Sequence, residues 1–170
     1  MNNYKELARA AIRARRNAYA PYSNFYVGAA ILSTDGRIFA GCNVENAAYG
    51  AGICGERTAL FKAVSEGAQE FEAIAVCGGS AEIDVVLTNE SSSIASEPEC
   101  PVGDSGSVAE ANARIVTELP LTSPCGICRQ ALYEFGGDDL KVLLVQSEDK
   151  WTEMKLGEML ALGFGPKNLA

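Results

Sequence analysis

The sequence contains no histidine. That absence removes Ser–His and Cys–His nucleophile pairs and any histidine-ligated zinc, and it leaves acid–base work to Glu, Asp, Lys, Tyr or Cys. Basic residues are scarce as well: 14 Lys and Arg stand against 22 Asp and Glu, for a formal net charge of −8. Affinity for nucleic acid comes largely from basic side chains displacing counterions, so no nucleic-acid partner is expected. No apolar run approaches the roughly 18 residues that a membrane helix needs. The opening MNNYKELARAAIRARR is too charged for a signal peptide. The expectation is a soluble, cytoplasmic protein with no membrane partner. In a reducing compartment its six cysteines serve as thiols or ligands rather than disulfides.

What is present suits one domain over residues 1–170, with 48% of the chain hydrophobic. Tyr4, Leu7, Ala11, Ala14 and Ala18 recur at spacings of three and four, which predicts an opening amphipathic helix. Tyr26 to Ser33 reads as a strand, Thr34-Asp35-Gly36 as a turn and Arg37 to Asn43 as the returning strand. A second helix fits Cys54 to Glu66 with Gly67 as its stop, and FEAIAVC (71–77) is a short apolar strand. A third helix starts near Cys125 and ends at Gly136-Gly137, and KVLLVQ (141–146) is another buried strand. Strands alternating with helices predict an α/β sandwich, with helices on both faces of a mixed sheet. The segment 78–121 fits badly. It is rich in Ser, Glu, Gly and Pro, and only Val108 to Glu118 reads as a short helix. So long an irregular connection signals a lid, an interface element or disorder.

The chemistry concentrates in PCGICRQ (124–130) and ICGERTAL (53–60). Alone, Cys125-x-x-Cys128 fits a disulfide, a redox pair, half of a metal site or two buried thiols. Joined to Cys54 and Glu56 it completes the ligand-x-Glu, Pro-Cys-x-x-Cys pattern of zinc deaminases, here necessarily in its all-cysteine form. Cys125 and Cys128 at i and i+3 share a helix face. Cys54 and Glu56 share a site only at the first turn of a helix. Both helix N-termini are therefore expected to point at the ion, which favours thiolates. Three thiolates leave a fourth zinc position open, the mark of a catalytic site, and Glu56 is then the proton carrier. Their net negative charge needs an offset, and Arg57 is expected to donate to a ligand sulfur. A structural zinc would need a fourth ligand, for which Cys42, Cys77 and Cys100 are the candidates.

YAPYSNFYVGAAI (19–31), GRIFAGCNVENAAYGAGICGERTAL (36–60), KAVSEG, FEAIAV, SPCGICRQALYEF (123–135) and the closing FGPKNL together resemble the homotetrameric, three-cysteine cytidine deaminases of pyrimidine salvage. The resemblance implies a three-layer α/β/α sandwich with a mixed sheet of about five strands. It also implies one Zn2+ per chain on Cys54, Cys125 and Cys128, with Glu56 as proton shuttle. It assigns Asn43 and Glu45 to the ribose hydroxyls, and their alternation on an extended segment agrees, since residues two apart face one side. Phe25 would pack near the base and Ala47 would offer its backbone. Phe164 would reach a neighbouring subunit's site in a homotetramer whose sites lie at subunit interfaces. On the residues alone, Asn43 reads first as a turn residue and Phe25 as a core aromatic, while Phe164 fits a packing residue equally well.

Three departures stand out: Gly55 where the family commonly has Ala, Ala161 where a Pro often stands, and 71 positions between Cys54 and Cys125. The last includes an extra stretch of about 40 residues, a change that costs a fold little stability. The implied activity is deamination of cytidine and deoxycytidine, small-molecule nucleosides, to the uridine forms. The rivals are a deaminase of a modified nucleoside or nucleoside antibiotic, and a silent relative acting as an assembly or regulatory scaffold.

Overall fold

Apolar residues along strand β1 (Phe25–Ser33) alternate between two cores. Ala29 and Ile31 enter one, while Ala30 and Leu32 enter the other. The computed structural model describes residues 2–81, 83–84, 114–115 and 118–169. Helix α1 (Asn2–Arg15) lays Leu7, Ala8, Ala11 and Ile12 on the Ala30 face. Helices α2 (Gly55–Ser65) and α3 (Gly126–Gly136) cover the opposite face with Ala59, Leu60, Ala63, Leu132 and Tyr133. Between them lies a five-stranded sheet in the order β2-β1-β3-β6-β7. Its other strands are β2 (Ile38–Cys42), β3 (Phe71–Ser80), β6 (Lys141–Ser147) and β7 (Lys150–Lys155). Only β3 and β6 run parallel; every other pairing in this sheet is antiparallel. The result is the expected mixed α/β/α sandwich.

Close approach of backbone to backbone sets the spacing of the layers. A Cβ on Gly28 would sit 2.0 Å from the Ala11 carbonyl oxygen of α1, and one on Gly41 would sit 2.5 Å from the Ala59 nitrogen of α2. Glycine is what lets both helices rest on the sheet at these points.

Two boundaries and one strand differ from the sequence reading. Helix α1 stops at Arg15 rather than near Ala18, because the next three amides turn back onto carbonyls three residues earlier. The chain then frees Tyr19 to bridge Val44. Strand β3 runs three residues past Cys77, since β1 still offers backbone to pair: Gly78, Gly79 and Ser80 match Val27, Tyr26 and Phe25. The fifth strand, β7, escaped the element reading because its side chains are mostly exposed and polar. Beyond β3, two-residue strands β4 (Ile83–Asp84) and β5 (Arg114–Ile115) pair in parallel. Of the expected helix over 108–118, only Arg114, Ile115 and Glu118 are described; Arg114 and Ile115 are strand rather than helix, because Ile83 and Asp84 offer them a parallel backbone partner, and the rest lies outside the described residues. The chain re-enters at buried Leu119, whose N–H donates to the Gln146 carbonyl at 2.6 Å. The short helix α4 (Leu156–Met159) follows β7.

Candidate active site

Cys54 is the N-cap of α2 and Cys125 the N-cap of α3, both with extended backbone. Cys128 occupies the first turn of α3 and is fully buried. Two helix N-termini thus converge on three sulfurs. Cys54 Sγ lies 3.8 Å from Cys125 Sγ, Cys125 Sγ lies 3.4 Å from Cys128 Sγ, and all three fall within 4.8 Å of one another. Tetrahedral zinc with Zn–S bonds of about 2.3 Å places its sulfurs about 3.8 Å apart, so the cluster fits Zn2+. Among the described residues no other group of three potential ligands comes together. Cys42 and Cys77 are engaged elsewhere, donating to the Asn17 and Gly28 carbonyls. Cys77 is buried, and burial pushes its thiol up to about 12. Neither supplies a fourth ligand, and Cys100 lies outside the described residues.

The charge balance asks for a cation. A hydrogen bond from Cys128, aided by Arg57 and outweighing burial, pushes the Cys54 thiol down to about 5. The same contact, with burial, pushes Cys128 up. A divalent ion among the three sulfurs would favour the thiolate form of each. Arg57 Nη2 stands 4.0 Å from Cys54 Sγ, and its Nε is buried without a hydrogen-bond partner. Glu56, in the first turn of α2, is only 3% exposed. Burial pushes its carboxyl up to about 7, and it interacts with both Cys54 and Cys128.

Beside the cluster opens a cleft of about 450 Å3 whose walls include Ser23, Asn43, Glu45, Tyr49, Cys54 and Arg57, a size that suits a small organic ligand. Asn43 is buried and its amide substitutes for a ladder rung. Oδ1 accepts from Val27 N–H at 2.8 Å and Nδ2 donates to the Phe25 carbonyl at 2.9 Å. One donor and one acceptor site remain on that amide. Glu45 accepts from the N–H groups of Tyr22 (2.9 Å) and Ser23 (3.2 Å) and from the Ser23 hydroxyl. These bonds, the hydroxyl first, hold its carboxyl below the usual range. Tyr22 and Tyr49, also in the wall, meet edge to face at 5.9 Å.

Of the sequence-derived candidates, Cys54, Cys125, Cys128, Glu56 and Arg57 come together, and Asn43 and Glu45 share the adjoining cleft. Phe25, Ala47 and Phe164 do not line that cleft. Phe25 is 40% exposed and packs where Gly78 and Thr122 leave room: a Cβ on Gly78 would meet its ring at 2.8 Å. Ala47 is exposed in the turn before Tyr49. Phe164 is 57% exposed, and its carbonyl accepts from Gln130 Nε2 at 2.6 Å. Two residues escaped the sequence reading. Ser23 sits inside the quoted PYSNF, and Arg129 follows the cysteine pair; only tertiary contacts disclose what each holds.

The fold and the cluster define an α/β protein built to hold a metal on three thiolates beside a buried carboxyl. The family model described as "Cytidine and deoxycytidylate deaminase zinc-binding region" matches residues 1–144. The chain belongs to this family of deaminases, hydrolases acting on carbon–nitrogen bonds, and the family's zinc-binding region and the three-cysteine cluster fit one Zn2+ per chain. It is 37% identical to a cytidine deaminase of Sporosarcina psychrophila over 158 residues, 93% of this chain and 88% of that one. It is 37% identical over 163 residues to a cytidine deaminase of Halalkalibacterium halodurans, covering 96% and 95% of the two. The crystal structure of cytidine deaminase from Burkholderia pseudomallei superposes with a TM-score of 0.66 at 36% identity, over 94% of this chain and 97% of that one. Among the described residues no helix is long and apolar enough to cross a membrane.

Proposed function

We propose that the protein hydrolyses cytidine and deoxycytidine to uridine and deoxyuridine, releasing ammonia, in pyrimidine salvage in the cytoplasm. The observation that carries this reading is the buried Glu56 carboxyl set against the Cys54, Cys125 and Cys128 sulfurs at two helix N-termini. When bound there, zinc supplies the Lewis acidity that makes water nucleophilic near neutral pH. Glu56 carries the first proton of the attacking water to the ring nitrogen, where it stays in the product, and then carries the second, from the new hydroxyl on the same carbon, to the amine, which leaves as ammonia as the carbonyl forms. Its burial keeps bulk water from short-circuiting that transfer. Asn43 and Glu45 bind the sugar hydroxyls with their spare hydrogen-bonding sites. Arg57 offsets the thiolate charge from beside Cys54.

Phe25, Ala47 and Phe164 complete the substrate site once chains assemble. Exposed Tyr49 (80%), Ile127 (66%) and Phe164 on a lone chain fit a homotetramer with its sites at subunit interfaces. Residues 1–170 form one domain, with the excursion leaving β3 beside Phe25 and returning at Leu119. The test is ammonia release from cytidine by the purified, zinc-replete protein, alongside Glu56→Gln. Activity in the wild type and a loss of about 10²–10⁴-fold in a variant that keeps its zinc support the reading. An inactive, zinc-replete wild type sinks it.

A further inference from the structure

The Ser23 hydroxyl touches two expected substrate residues at once. Its Oγ donates to Glu45 Oε1 and accepts from the Phe25 N–H at 3.1 Å. The bond to the Phe25 amide leaves the hydroxyl proton directed at the carboxylate. The Tyr22 and Ser23 N–H groups both donate to Glu45 Oε2. A carboxylate oxygen has about two acceptor sites, so Oε2 is filled by the chain itself and Oε1 keeps one site after Ser23 has taken the other. The direction of that remaining site is fixed by the seryl bond. The loop that carries Ser23 is held in turn: Asn24 adopts a left-handed backbone (φ 54°), and its N–H returns to the Ala20 carbonyl at 3.0 Å.

We infer that Ser23 is a positioning residue for sugar recognition: it aims the one free acceptor site of Glu45 at a ribose hydroxyl and ties that carboxylate to the Phe25 backbone. The inference rests on the proposed nucleoside deaminase function and refines how its sugar site discriminates. Hydrogen bonds to a charged group are the strong ones, so losing the hydroxyl should be visible in binding.

The test compares wild type, Ser23→Ala and Ser23→Thr on cytidine and on 2′,3′-dideoxycytidine, which lacks the sugar hydroxyls that Glu45 would hold. Ser23→Ala should lower kcat/KM for cytidine about tenfold, mainly through KM, and leave dideoxycytidine within about twofold of wild type. Ser23→Thr, which keeps the hydroxyl, should restore the cytidine value. If Ser23→Ala does not fold, Ser23→Cys serves instead, since a thiol of similar size is a weak donor and should give the same selective loss. Equal losses on both substrates, or no loss on cytidine, would overturn the role of Ser23 while leaving deamination standing. A wild type that does not deaminate cytidine at all would overturn the parent reading and this inference with it.

Discussion

Arg129 Nε donates to the Pro124 carbonyl at 2.7 Å, one residue before Cys125. The same guanidinium reaches the Met159 carbonyl at 2.8 Å and Ser123 Oγ at 3.3 Å. One side chain thus binds the loop that delivers a ligand sulfur to the helix α4 region behind it. Its planar fork suits three acceptors in different directions, which a lysine ammonium on a flexible stem would not hold together.

Arg129→Ala should therefore loosen the metal centre without touching a ligand. Loss of such supporting contacts typically weakens metal binding by about 10–100-fold. Chelator competition followed by zinc release reads this directly, and Arg129→Lys should fall between wild type and Ala. Zinc affinity unchanged in Arg129→Ala would show that the loop holds itself.

Arg57 bears on the same centre from the α2 side, with Nη2 at 4.0 Å from Cys54 Sγ. Arg57→Gln removes the positive charge and keeps much of the side-chain volume. Deaminase activity should drop by about tenfold, the size expected when a charge-assisted contact is lost. Activity equal to wild type at every pH tested would remove Arg57 from the mechanism.

How much of this was written in the sequence depends on the range of the contact. Cys125 and Cys128 are one helical turn apart, and Cys54 and Glu56 open a helix, so local geometry brings each pair together. Asn43 and Glu45 reach one cleft because alternation on an extended segment requires it. Ser23 and Arg129 were not legible, since each acts on a partner twenty or more positions away, Glu45 in one case and Met159 in the other. The extension of β3 to Ser80 depends on pairing with β1, which no run of Gly-Gly-Ser reveals by itself. β7 carries a polar, exposed pattern that resembles a loop until β6 supplies its partner.

The β1–β2 hairpin turns on Asp35, which accepts from the Ser33 hydroxyl and from Arg37 through its backbone N–H at 3.2 Å and its Nε at 2.8 Å. These bonds, the Ser33 hydroxyl first, hold the carboxyl down from 3.8 to about 2. A depressed carboxyl stabilises the fold fully above its unfolded value and loses that contribution as pH falls through its folded value. Asp35→Asn should therefore melt below wild type at neutral pH. The difference in Tm should shrink as pH drops from about 4 to about 2. A Tm difference that stays constant through that range would show that the charge of Asp35 contributes nothing to the hairpin.

Two glycines should respond to alanine with opposite signs. At Gly28 the added Cβ would meet the Ala11 carbonyl oxygen at 2.0 Å and the Arg15 nitrogen at 2.4 Å, all backbone of α1. Backbone cannot swing aside as a side chain can, so the helix would have to lift from the sheet and open the Leu7–Ile12 core beneath it. Gly28→Ala should cost about 3 kcal/mol, the upper end of ordinary overpacking. At Gly126, in the first turn of α3 between the two cysteines, nothing lies within 4 Å of a new Cβ. Alanine there removes unfolded-state freedom without a clash, so Gly126→Ala should be neutral or stabilising by up to about 1 kcal/mol. Denaturant melts of the two variants, both zinc-replete, check the pair. A destabilised Gly126→Ala would mean that the space beside the cysteine pair is needed for something other than the chain itself, and substrate protection of that variant against unfolding would identify it.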